Sequence, residues 1–458
     1  MSTAANLSAR LEGALGKQRV LSAEEELAAY AVDEVAPAAI VRPESAEQVA
    51  EVVRFASVEK LALIPVGARS KCDIGMPPTR YDIAVDMSGI RKIAHYDADD
   101  LTLSVDAGMT LRELEGSLAQ RQQFLPLAVP CFERSTAGGS IASGIDSLLR
   151  QRYGAVRDFL IGAEFVDGKG KVCKSGGRVV KNVTGYDLHK LLIGSLGTIG
   201  VITRLNFRTF PLPEKYEGHV ASFESGERAL ALRNAVEASG LPVANLELLN
   251  PTMGGITKAI LEKEGGPAPG CGGADSWAVY VSSEGSARIV ERVATDLERL
   301  AHEAGARKYE TLGERRDSHL GGVLREAFEW LRWAAPTVAL FRITLPRIMP
   351  ETIAALNQNR DSLRRALLVR ACGVIYLSLM GEREDERTLG AFEKAARDTF
   401  ALASAKQGHT TLLHAPLELK QRSSAWWPTP GDLSLMKRVK QAFDPDSIFA
   451  PGRYVGGL

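Results

Sequence analysis

The sequence lacks any apolar run long enough to cross a membrane. The longest attempt, Ala366 to Gly381, is interrupted by Arg370 and reads as one long buried strand. Met1 to Gly16 has no basic start leading into an uninterrupted apolar stretch, so a secretory signal is not expected. Cysteine is scarce. The five thiols, Cys72, Cys131, Cys173, Cys271 and Cys372, are odd in number, scattered, and never in a Cys-x-x-Cys pair. This argues against a disulfide framework, zinc or an iron–sulfur cluster, and fits reduced thiols in the cytoplasm. A charge excess is missing too, since 56 Lys plus Arg balance 56 Asp plus Glu. With no basic stripe interleaved with aromatics, nucleic-acid binding is not expected. No internal repeat or low-complexity tract stands out.

What is present is an ordinary globular composition, 45% hydrophobic and 24% charged, over 458 residues. That length exceeds one compact core, so two or three domains are expected. After a short helical opening, Ile40-Val41 reads as a strand, and Ser45 with Gln48 reads as a capping box. Val49, Val52, Val53 and Ala56 share one face of the helix that follows, and Leu61 to Val66 is a second strand. Strand, helix and strand within about 30 residues make a βαβ unit with a parallel sheet.

From Tyr81 the texture changes. Strands at Ile83–Asp86 and Leu101–Ala107, a helix at Leu111–Arg121, and a hairpin pairing Ile161–Val166 with Lys171–Lys174 are expected. Beyond Tyr216 strands alternate with long amphipathic helices. The helices fall at Gly226–Ser239, Ser286–Ala304, Glu314–Ala334 and Asp385–Lys406. The strands fall at Val243–Leu249, Trp277–Val281, Thr337–Leu345, Leu367–Leu379 and Thr410–Leu413. Helices on one face of a mixed sheet predict an α+β sandwich of ferredoxin-like type. The expected division is 1–37 helical, 38–213 and 214–425 as two domains, and 426–458 returning to the first.

Three glycine-containing segments carry the chemistry. Pro65-Val66-Gly67-Ala68-Arg69-Ser70-Lys71 leaves a strand. Gly67 is expected at positive φ, so that turn amides converge on an anion such as pyrophosphate. A plain tight turn would use the same residues. Ser135 to Gly144 is small almost throughout, which suits backbone contact with a flat ligand and equally suits close helix–sheet packing. Val183 to Gly200 carries Gly194, Gly197 and Gly200 in the wrong spacing for a Rossmann turn. A helix, Asp187 to Ile193, precedes these glycines and a strand follows, the reverse of the Rossmann order.

Together these segments resemble the FAD-binding domain of the vanillyl-alcohol-oxidase class, also named for p-cresol methylhydroxylase (PCMH). The tail Phe443 to Arg453 resembles that class's C-terminal segment, with Ala450 where Asn is usual before Pro-Gly. The resemblance implies an α+β protein with a two-subdomain PCMH-type FAD-binding domain and a ferredoxin-like cap. It places FAD contacts first on Pro65, Val66, Gly67, Ala68, Arg69, Ser70 and Lys71. A second set is Pro130, Ser135, Thr136, Gly138, Gly139, Ala142 and Gly144. The third is Asn182, Tyr186, Asp187, Gly194, Gly197, Gly200 and Ile202. Val179 to Leu188 and Gly408 to Pro416 further resemble the smaller FAD-binding subunit of bacterial glycolate oxidase. That implies a catalytic flavoprotein subunit and an iron–sulfur subunit as partners, through which any membrane association would come.

Catalytic members of the D-2-hydroxy-acid branch carry Gly-Asp-Gly-Asn-x-His and Glu-His-Gly, and this sequence has neither. His409 and His414, five apart in a strand, face opposite ways and do not suit one metal ion. Arg342 is a candidate for a substrate carboxylate, with a structural salt bridge as the plainer role. The class's flavin-linking His is absent from Ala68-Arg69-Ser70, so FAD is expected to be non-covalent, although Cys131 stands where doubly linked members place a Cys. Trp330 and Trp333 read as core or interface residues, and Trp426 and Trp427 as candidate interface anchors. The expectation is an FAD subunit that relays electrons or supports a catalytic partner. A self-sufficient 2-hydroxy-acid dehydrogenase is the alternative, and the intact glycine segments disfavour a flavin-free scaffold.

Overall fold

The computed structural model describes residues 3–178, 185–266, 268–270, 275–358 and 361–458. Asn182 and Cys271 lie outside them, as does the whole segment from Val179 to Thr184.

The expected βαβ unit forms around strands Ala39–Val41, Leu63–Val66 and Ile83–Asp86, which pair in parallel; Val20–Leu21 joins the edge antiparallel. Helix Ala46–Glu59 buries Val49, Val52, Val53 and Ala56 against this sheet. Ser45 Oγ accepts the Gln48 amide at 3.3 Å, but Gln48 Oε1 takes the Glu44 amide rather than that of Ser45, so the box is displaced by one residue. A second, antiparallel sheet runs Ile93–Asp97, Thr102–Asp106, Val201–Arg208, Leu160–Val166, Val172–Gly176. The chain's end returns to the first sheet. Leu63 donates to Ile448 O at 2.8 Å and Ala450 donates to Leu63 O at 2.9 Å. Ala450 has φ +43, a left-handed conformation that Asn tolerates better than Ala.

Residues from Lys215 onward build one nine-stranded sheet, antiparallel between all neighbours rather than mixed. Its first half is strand Lys215–Phe223, helix Gly226–Ser239, strand Val243–Leu249, strand Trp277–Gly285, helix Ala287–Glu303 and strand Lys308–Leu312. Numbered in chain order, those strands lie 4-1-3-2 across the sheet. Its second half is strand Thr337–Thr344, helix Pro350–Asn357, strand Arg364–Arg370, strand Val374–Gly381, helix Glu386–Ala405 and strand His409–His414, lying 2-3-1-4. Two ferredoxin-like units are therefore joined edge to edge, a duplication of topology that no sequence repeat signals.

Three further expectations change. Leu367–Leu379 is not one strand but a hairpin, turning at Cys372 (φ +60) and Gly373 (φ +76). Both faces of the sheet are covered. The four ferredoxin-type helices pack on one face, while Pro251–Lys263, Glu314–Arg325 and Ala327–Arg332 pack on the other with Ile74, Ile145 and Leu148. The expected helix Glu314–Ala334 is broken at Glu326, whose carboxylate accepts the amides of Cys131 (2.5 Å) and Phe132 (3.1 Å). The break thus ties the second half of the chain to the second glycine segment.

Candidate cofactor cleft

Strand Leu63–Val66 ends at its carboxyl edge, where ligands of open parallel sheets bind, and delivers residues 65–72 to a cleft of about 730 Å³. The cleft gathers Pro65, Val66, Gly67, Ala68, Arg69, Ser70, Lys71, Thr136, Gly138, Gly139, Ala142, Gly197, Gly200 and Ile202 from all three sequence segments. It also includes Cys72, Met87, Ala107, Ser143, Leu196 and Arg453, which the sequence reading missed. Only Arg453 carried a signal, the Pro-Gly-Arg of the tail.

The loop works differently from the expectation. Gly67 is not at positive φ; Arg69 is, at +58. Gly67 is small because a Cβ there would run into Thr136 Oγ1, at the start of the second segment. Arg69 is held with its guanidinium carbon 4.2 Å from the Tyr30 ring centroid, a cation–π contact. Among the described residues, no protein acceptor takes the amide hydrogens of Ala68, Arg69, Ser70 or Lys71. Burial pushes the Lys71 amine down to about 8, with Cys131 and Glu326 pulling the other way. Its Nζ lies 3.3 Å from Ser70 Oγ and also donates to Ser135 Oγ, which in turn donates to Pro130 O at 3.1 Å.

The glycines divide by role. Gly138 and Ala137 donate to the carbonyls of Ala107 and Met109, both at 2.8 Å. A Cβ on Gly138 would come within 2.7 Å of Ala107 Cβ, so that glycine serves helix–sheet packing. Gly139, with only Thr136 Oγ1 near its Cβ position, opens to the cleft. Gly144 (φ +62) and Gly194 (φ +73) are outside the cleft lining, and a Cβ on Gly144 would come within 2.7 Å of Gly194 Cα. Pro130, Ser135, Tyr186 and Asp187 also lie outside the lining. Ser135 supports Lys71 from behind, and Tyr186 is 89% exposed.

The remaining candidates are structural. Cys131 Sγ contacts Glu329 Oε2 at 3.2 Å, and burial pushes the thiol up. Arg342 donates to Gly144 O at 3.1 Å and pairs with Asp146 at 3.6 Å. His409 is exposed, whereas His414 Nδ1 is 2.6 Å from Asp73 Oδ2. Asp73 also pairs with Arg332 at 2.7 Å, and its carbonyl takes Lys420 Nζ at 2.5 Å. Burial alone would raise the Asp73 carboxyl, but His414 and Arg332 hold it well below the usual carboxylate range. Among the described residues no three His, Cys, Asp or Glu stand together as metal ligands.

Residues 37–176 match the family described as FAD binding domain, and residues 212–454 match FAD linked oxidases, C-terminal domain. The chain belongs to the FAD-linked oxidases. It is 24% identical over 426 residues to glycolate oxidase subunit GlcD of Bacillus subtilis (strain 168), covering 91% of this chain and 88% of that protein. It is 37% identical over 164 residues to glycolate oxidase subunit GlcE of Escherichia coli (strain K12), covering 36% of this chain and 46% of that protein. The substrate-bound structure of p-cresol methylhydroxylase shares the fold, with TM-score 0.77 at 16% identity over 99% of this chain and 97% of that one. The protein is an FAD-dependent oxidoreductase with a PCMH-type fold.

The cleft suits FAD on its own chemistry. Free amides, Lys71 and Arg69 answer a pyrophosphate, and the bare backbone at Gly139 admits a flat ring. When bound, FAD supplies a two-electron acceptor that can also pass electrons onward. No described helix is long and apolar enough to cross a membrane.

Proposed function

We propose that this chain is the FAD-binding subunit of a glycolate-oxidase-like 2-hydroxy-acid dehydrogenase, relaying electrons or supporting a catalytic flavoprotein subunit beside an iron–sulfur subunit. In this reading residues 38–213 hold FAD, without a covalent bond, through the cleft residues of the three segments. Residues 214–425 form the cap and 426–458 tie it back. The observation that carries the reading is the state of His414. Oxidising a 2-hydroxy acid needs a base or metal to take the hydroxyl proton as hydride leaves. His414 is engaged by Asp73, and the cations of Arg332 and Lys420 crowd the same carboxylate group and carbonyl. Those cations disfavour a divalent metal there, and among the described residues no three potential ligands stand together to hold one.

The match to GlcD along most of both chains favours a second reading, in which this chain itself carries out the 2-hydroxy-acid oxidation. Reconstitution separates them. Under our proposal, dye reduction by glycolate appears only when catalytic and iron–sulfur subunits are added, and requires FAD in this chain. Acid precipitation releases all its flavin. Full dye reduction with this chain's FAD removed contradicts the relay role, and flavin retained on denatured chain contradicts non-covalent binding.

A further inference from the structure

Helix Ala327–Arg332 of the cap is tied at several points to the loops that carry Lys71 and Ser135. Glu326, just before it, accepts two successive amides, Cys131 at 2.5 Å and Phe132 at 3.1 Å. Glu329 pairs with Arg134 at 2.7 Å, and Arg332 pairs with Asp73 at 2.7 Å. Arg325 closes the group, its Nε 3.1 Å from Glu326 Oε1 and its guanidinium carbon 4.4 Å from the Phe132 ring centroid.

The turn that Glu326 holds is strained. Cys131 sits at φ +57 without being glycine, a conformation that persists only where the surroundings impose it. Its carbonyl takes the amides of Arg134 (3.2 Å) and Ser135 (2.8 Å), which fixes where Ser135 stands. Ser135 Oγ accepts from Lys71 and lies 3.3 Å from Ser70 Oγ. A short chain of contacts thus runs from a cap carboxylate to the amine at the cleft wall.

Charge runs the same way. Burial disfavours the Lys71 cation; Cys131 and Glu326 oppose that effect, while Arg332 and Arg134 add to it. The two arginines are answered by Asp73 and Glu329. Burial pushes the Cys131 thiol above its ordinary value, so it is neutral where Lys71 titrates. Among these groups the Glu326 carboxylate is therefore the one that sustains the Lys71 cation from the cap.

We propose that Glu326 is a positioning residue for FAD: it holds the Cys131–Phe132 turn on which Ser135 and Lys71 rest, and so lets the cap set how tightly the loop grips its cofactor. The proposal rests on the reading of residues 65–71 as the pyrophosphate loop. Glu326 lies outside the cleft lining, so it acts through Lys71 and not by contact with the cofactor.

The test strips the full chain of FAD and titrates it with FAD from neutral to alkaline pH, following flavin fluorescence. In wild type the affinity should begin to fall near 8, where the free amine titrates. Glu326→Gln keeps the shape and one acceptor oxygen but removes the charge. It should weaken FAD about fivefold at that pH and move the onset of the fall down by about one unit. Acetylation of Lys71 in the FAD-free chain, read by peptide mass, should show the same lowered midpoint. Glu326→Asp keeps the charge on a shorter arm, so it should restore the onset while FAD stays about threefold weaker. An unchanged onset and acetylation midpoint in Glu326→Gln, with or without a loss of stability, makes Glu326 a brace of the fold and overturns the proposal. Should that variant fail to fold, wild-type FAD affinity in Glu326→Asp overturns it instead. Wild-type affinity and pH profile in Lys71→Met would remove the pyrophosphate reading on which the proposal rests.

Discussion

The cofactor cleft and the core of the cap handle charge in opposite ways. In the cap, charged groups are closed on one another. Arg370 meets Glu247 at 2.7 Å with both side chains buried, and Asp317 accepts from Tyr280 (2.6 Å) and Ser282 (2.8 Å). Burial pushes the Asp317 carboxyl up to about 6, as expected of a group kept from water. In the cleft, amides 68–71 have no protein acceptor and Lys71 is brought to the cleft wall by hydroxyls alone. Closed charge holds a fold, while charge left facing a cavity awaits a ligand. Substitutions in the two places should therefore separate stability from cofactor.

The largest effect should come from Arg370→Ala, which strands a buried carboxylate. Breaking such a pair typically costs ~3–5 kcal/mol. The urea midpoint should fall sharply while the folded protein keeps stoichiometric FAD. Loss of flavin without loss of stability would erase the distinction.

Next is Gly67→Asp, which sets a side chain against Thr136 and a carboxylate beside the loop amides. The purified protein should be colourless. Relative to FAD-loaded wild type it should lose at least the ligand's contribution, about 2.7 kcal/mol where FAD is at 100 Kd, plus the cost of the clash with Thr136. A yellow, stoichiometric variant would remove the pyrophosphate site from this loop.

The smallest effect is a pH dependence with two opposite signs. The folded Lys71 amine titrates near 8, below its ordinary 10.5, so the native apo-protein binds fewer protons than the unfolded chain between those values. Apo stability should therefore rise with pH across that window. If Lys71 lies in the field of the bound pyrophosphate, as we propose, FAD affinity should fall across it by about tenfold as that cation is lost. Lys71→Met should flatten both curves, as followed by thermal melts and flavin fluorescence titrations. Parallel slopes for both would contradict the placement of Lys71 in the cofactor's field.

The sequence made local things legible. Periodicity and turn residues marked the βαβ unit, the strand leading to Gly67 and the cap helices Gly226–Ser239, Ala287–Glu303 and Glu386–Ala405, because each depends on neighbours in the chain, but not the cap helices Pro251–Lys263 and Pro350–Asn357. Cys372-Gly373 was hidden inside an apolar run, where a tight turn and a continuous strand look alike. The break at Glu326 was hidden because Glu is a good helix former; its cause is the distant amides of Cys131 and Phe132. Small residues told packing from ligand contact poorly, which is why Gly144 and Gly194, outside the cleft lining, took a cofactor role, while Gly138 both lines the cleft and packs against Ala107. Met87, Ala107 and Arg453 reach the cleft from elements far apart in the chain. The cap's duplication lies in topology, which diverged residues no longer signal.

The most direct test of the central claim is to mix the isolated FAD-loaded chain, anaerobically, with glycolate or D-lactate and follow the flavin's visible absorbance. A cation-crowded pocket with no metal-ligand cluster among the described residues predicts that dithionite bleaches the flavin while neither hydroxy acid does so at a useful rate. Rapid stoichiometric bleaching by either acid would contradict the account and make this chain a dehydrogenase in its own right.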